Sequence, residues 1–190
     1  MRAVVSTIVV LLLVSGAALL GYARWTAPLE RADATLAAGR FDEAVADYQL
    51  AEARFDAIPA TKQLLPIEHT RAVGNHLLAL YRLKRYDEVI DLAQKAPAAA
   101  RPNFFSGCAF FQKAIVEEAP EARLGWLSRA EEEFRKAIEA SPDDWDTKFD
   151  FELTTRLASE LRKQPNTPPK QMMQLLRPPT AGAKPPRRTG

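Results

Sequence analysis

Two histidines, a group of aspartates and one cysteine are the residues of this 190-residue chain whose types could do chemistry. A bound metal needs ligands that converge. His69 and His76 are seven apart, so on one helix they share a face but stand about 10 Å apart along its axis, too far for one ion. Asp143, Asp144, Asp146 and Asp150 offer the oxygen ligands that calcium takes. A helix, however, spreads these carboxylates around its axis, and Asp143 and Asp144 suit the positive end of a helix dipole. Cys108 is the single cysteine, so an internal disulfide is ruled out. Its neighbours Phe104, Phe105, Phe110 and Phe111 describe a small buried residue, with no nearby cation to make a reactive thiolate. No CxxC, HExxH, GxxxxGK or glycine-rich phosphate loop occurs. The expectation is a protein without catalysis of its own, with no metal site and no cofactor.

Binding chemistry is better represented. Arg71, Asn75 and Arg82 are candidates to line a partner-binding groove, against the plainer alternative of a solvated helix face. Met172, Met173, Leu175 and Leu176 form an apolar island between Lys170 and Arg177. They are candidates for a docking segment that folds on binding, against the plainer alternative of a disordered tail.

The elements that must position these residues fall into three stretches. Residues 1–23 carry one charge, Arg2, followed by an uncharged run of Val, Leu, Ile and Ala long enough to cross a bilayer as a helix. A signal anchor is favoured by the length of the run, and a small-x-small pattern at Gly21-Tyr22-Ala23 keeps cleavage as the alternative. Either way the bulk of the chain is expected outside the bacterial inner membrane, in the periplasm. Residues 24–163 are expected to be a helical domain. From Arg24 to Arg162 there are 19 basic and 24 acidic residues, without the dense basic surface of a nucleic-acid-binding domain. Residues 164–190 are expected to be a Pro-rich, basic, disordered tail, since seven of the fourteen prolines lie between Pro165 and Pro186.

Within the domain, Ala32, Thr35 and Leu36 share one helical face, and Gly39 suits the left-handed position that ends a helix. Phe41 opens a second helix with Ala44, Tyr48 and Ala51 in a row. Tyr86-Asp87-Glu88-Val89 echoes Phe41-Asp42-Glu43-Ala44 at an offset of 45 residues. The extra length sits in the connection around Ile58-Pro59 and Leu64-Leu65-Pro66, and Lys84-Arg85 replaces the turn glycine. A third pair is expected at Phe104–Glu118 and Leu124–Ala140, with Ala130, Phe134 and Ala137 repeating the row and Pro120 ending the first of the two. A final helix from about Asp143 to Lys163, with Ser141 as N-cap, is expected to close the stack through Trp145, Phe149, Leu153 and Leu157, while Asp150 stays in water. The fold expected is all-α, a short irregular stack of helix hairpins with a C-terminal capping helix, preceded by one transmembrane helix.

This spacing of small and aromatic residues resembles tetratricopeptide repeats, whose unit is usually 34 residues. A narrower resemblance is carried by Ser141–Leu153, SPDDWDTKFDFEL, together with the anchor, the irregular repeats and the basic tail. These are similar to the MxaK type of accessory protein. That resemblance implies a bacterial protein encoded beside a MoxR-type ATPase and von Willebrand A-domain proteins. In methylotrophs such an operon matures the calcium-containing, PQQ-dependent methanol dehydrogenase, so those proteins are the partners implied. The function expected is a membrane-anchored periplasmic adaptor that holds partner proteins during maturation or metal insertion. The alternative is a structural envelope component that binds cell-wall polymer through the exported domain and the basic tail.

Overall fold

The computed structural model describes residues 2–163, with side chains from Val4 onward. Met172, Met173, Leu175 and Leu176 therefore lie outside the described residues. The chain is all-α, with eight α-helices and no strand among the described residues. They are α1 (Arg2–Ala37), α2 (Phe41–Ala57), α3 (Ala60–Leu64), α4 (Pro66–Arg82), α5 (Tyr86–Ala93), α6 (Pro102–Val116), α7 (Pro120–Ala140) and α8 (Trp145–Lys163).

The first helix runs unbroken for 36 residues, through the whole apolar stretch and on into the first hairpin. The boundary expected after Ala23 is thus not a break in the backbone. Pro28 lies inside α1 and removes the N–H that would bond the carbonyl of Arg24. Arg54 of α2 supplies a substitute, donating from Nη1 to Arg24 O at 2.9 Å and Trp25 O at 3.0 Å. The ring of Pro28 is itself buried, so the residue that weakens the helix also packs it against its neighbours.

Three hairpins follow one another: α1 with α2, α4 with α5, and α6 with α7. The second helix of each pair packs against the first helix of the next, α2 on α4, α5 on α6, and α7 on α8. Small residues allow the approach: Ala32, Ala44, Ala72, Ala79, Ala109, Ala130 and Ala158 are fully buried. Tyr48, Leu77, Leu80 and Phe134 fill the space between backbones. The first core runs from Leu29 through Ala109, and a second, smaller one gathers Ala114, Leu127 and Ala158 with Phe111, Trp126, Leu157 and Leu161.

The first two hairpin turns are built alike. Gly39 has φ +74°, with Gly39 N bonded to Leu36 O and Arg40 N to Thr35 O. At the second turn Lys84 N bonds Tyr81 O and Arg85 N bonds Leu80 O, the same Schellman pattern, with Lys84 at φ +60°. Replacing glycine by lysine therefore leaves the geometry intact and puts strain on Lys84.

Several local expectations need correction. The long connection around Ile58-Pro59 and Leu64-Leu65-Pro66 contains a short helix, α3, and Pro66 opens α4 as its first residue instead of lying in the break before it. Pro120 starts α7 instead of ending α6, its missing N–H costing nothing at a first-turn position. The N-cap of α8 is Asp144, not Ser141: Asp144 Oδ1 accepts from Thr147 N at 3.2 Å and Oδ2 accepts from Thr147 Oγ1 at 2.7 Å.

Candidate functional site

The polar residues expected to face a partner are placed by α4. Arg71 and Asn75 sit one turn apart on α4, where α1 packs against it. Asp33 of α1 accepts from Tyr48 Oη at 2.6 Å and from Asn75 Nδ2 at 2.9 Å, and Arg71 Nε stands 3.4 Å from its second oxygen. Arg71 Nη2 also bonds Glu30 at 2.6 Å. Burial, and then the hydrogen bond to Asp33, push the Tyr48 hydroxyl far above its ordinary range, so it stays a neutral donor. For Arg71, burial pulls downward, but the bond to Glu30 and the charge of Asp33 hold the guanidinium above its usual value. Arg71 and Asn75 thus tie α1 to α4. Their partners Glu30 and Asp33 stand i, i+3 on α1, a carboxylate pair that the sequence reading missed and whose spacing is the signal for it. Arg82 is apart from this group, exposed in the last turn of α4.

The histidines do not meet. His76 is buried with Nδ1 2.8 Å from Glu52 Oε1, and His69 lies tilted against Phe55 with ring centroids 5.2 Å apart. Among the described residues no group of three His, Cys, Asp or Glu is arranged to hold a metal. The four aspartates diverge. Asp144 caps α8 and pairs with Arg101, whereas Asp150 turns inward, with Cys108 Sγ 4.0 Å from its Oδ2. Asp150 is therefore half-buried, not fully in water as expected. Its burial, with the charges of Asp146 and Asp144, holds its carboxyl above the usual range. Burial and then Asp150 push the Cys108 thiol up to about 12, the condition of an unreactive cysteine.

The end of the stack is where sequence and structure part most. The helix α8 does close it, but through Thr147, Thr154 and Ala158, which are buried against α7 with Leu157 and Leu161. Trp145, Phe149 and Leu153 face outward, 76%, 67% and 37% exposed. Arg101 fixes the start of α8. It has φ +57°, pairs with Asp144, and lies over the Phe104 ring at 4.3 Å. Lys148 Nζ stands 4.5 Å from the Trp145 ring centroid, leaving the other face of the indole open. The result is an aromatic stripe on a rigid, capped helix, bordered by Asp146 and Glu152. It can bind an apolar or aromatic surface. Comparison with known proteins finds no matching family model, curated protein or solved structure.

Proposed function

We propose that this protein is a membrane-anchored adaptor that holds partner proteins on a stack of tetratricopeptide-like hairpins, without catalysis of its own. The observation that carries this is the exposure of Trp145 and Phe149 on the terminal helix. Large aromatic side chains, held rigidly on a surface helix, are the usual anchors of protein interfaces. The helix α1 supports the anchor, being long and apolar enough to cross a membrane, with none of its most apolar stretch buried. Its continuity with the first hairpin would hold the domain at a fixed height above the bilayer. We place the domain in the periplasm, as the charge of Arg2 before the span favours. The partners proposed from the resemblance of Ser141–Leu153 are von Willebrand A-domain proteins, a MoxR-type ATPase system or the client dehydrogenase they mature.

A photo-crosslinking residue at position 149 of the full chain in its native membrane tests this. The expected result is a discrete adduct with one of these proteins, lost in Trp145→Ala and absent when the crosslinker is moved to exposed Ala46 on α2. Absence of any protein adduct above background at position 149 would sink the adaptor function.

A further inference from the structure

We infer that the connection between α2 and α4, Ile58 to Ile67, is a second membrane contact that lies in the lipid headgroup layer beside α1. Two hydrogen-bonded ties fix its height. At one end Arg54 Nη1 bonds the carbonyls of Arg24 and Trp25, and at the other Tyr22 Oη bonds Glu68 Oε1 at 2.7 Å. Residues 22–25 are where the uncharged stretch of α1 ends, so both ends of the connection are tied to the level where a spanning helix leaves the hydrocarbon. The placement rests on α1 crossing the bilayer as proposed above.

The side chains at that level are unlike those of a solvated loop. Leu64 is 75% exposed, Ile67 77% and Ile58 49%, three large apolar residues on one short segment. Ile58 also borders a groove shared with Gly21, Arg24, Trp25 and Arg54, directly against α1. Basic groups accompany them: Arg24 is exposed, and Lys62 is paired with Asp56. Apolar tips with cationic groups beside them are the composition of a segment lying in an interface. This also accounts for the length between the first two repeats, since the residues beyond the usual 34 fall in this connection. The segment would restrain the rotation and tilt of the domain about α1, which one helix alone leaves free.

The test uses the full chain with Cys108→Ala, carrying one new cysteine at a time labelled with a small fluorophore. The chain is reconstituted in phosphatidylcholine vesicles containing about 20 mol% phosphatidylglycerol, which gives an anionic surface. Quenching by lipids bearing a nitroxide near the headgroup or deep in the acyl chain reports depth. Leu64→Cys is expected to be quenched by the shallow lipid, several-fold more than Ala38→Cys at the opposite end of the hairpin. Leu12→Cys should be quenched by the deep lipid. Deep quenching at position 12 with position 64 no more quenched than position 38 would overturn the headgroup contact and leave the anchor standing. Absence of quenching at position 12 would overturn both.

Discussion

Arg54 Nη1 donates to the carbonyl oxygen of Arg24 at 2.9 Å, in place of the backbone N–H that Pro28 lacks. A carbonyl without its helical donor at the foot of the anchor is a weak point. Arg54→Ala is expected to cost about 1 kcal/mol, the usual net worth of a hydrogen bond at a partly exposed position. Pro28→Ala restores the backbone donor, so Arg54→Ala should cost less in that background. A double-mutant cycle from denaturant unfolding of the reconstituted chain measures the coupling, and additive losses would show that Arg54 does not serve this carbonyl.

Lys84 occupies the left-handed position that Gly39 fills in the preceding turn, with the same pair of hydrogen bonds. Lys84→Gly should relieve the strain of a Cβ at positive φ and stabilise the chain by about 1 kcal/mol. Gly39→Ala should destabilise it by about the same amount. Opposite shifts in the unfolding midpoint are the expected outcome.

Gly107 lets α6 approach α7. A Cβ there would stand 2.6 Å from Cδ1 of Phe134, a ring 1% exposed with no room to turn aside. Gly107→Ala is expected to cost about 1–3 kcal/mol by overpacking, despite the better helix propensity of alanine. Gly125 on α7 meets nothing within 4 Å, so Gly125→Ala should stabilise by about 0.5–1 kcal/mol. Calorimetry on the two variants separates the effects by sign.

Asp33 receives donors from Tyr48 and Asn75 at the junction of three helices. Asp33→Ala leaves the buried Tyr48 hydroxyl without an acceptor and should cost about 2–3 kcal/mol. Tyr48→Phe removes the donor as well, so in that background Asp33→Ala should cost less. A full cost in both backgrounds would mean that Asp33 acts through Asn75 and Arg71 and not through Tyr48.

Asp150 is half-buried, and its pKa is raised by burial and by Asp146 and Asp144. The folded chain therefore holds this proton more tightly than the unfolded chain. Stability from this group is present below the unfolded value near 3.8 and is lost as pH rises through the folded one. At neutral pH the penalty is complete, so Asp150→Asn should raise the melting temperature there and change it least at pH 3. With the Cys108 thiol held up to about 12, the folded chain should resist alkylation at pH 8 and react once unfolded.

The sequence by itself determined seven of the eight helices and their order, the short α3 excepted. Alternation of small and aromatic residues at helical spacing, the apolar run from Ala3 and the turn at Gly39 are local signals, because each follows from backbone sterics or transfer out of water within a few residues. The rows Ala44, Tyr48, Ala51 and Ala130, Phe134, Ala137 were legible and are buried, Ala137 least at 9% exposed. What only the tertiary structure decided is which polar and apolar faces meet. Arg71 and Asn75 look free on α4 until α1 brings Glu30 and Asp33 against them. Trp145 and Phe149 look like core until Thr147, Thr154 and Ala158 take the contact with α7. Periodicity tells that a helix has an apolar stripe, but burial depends on a neighbour distant in the chain, and that neighbour is set by packing of the whole stack.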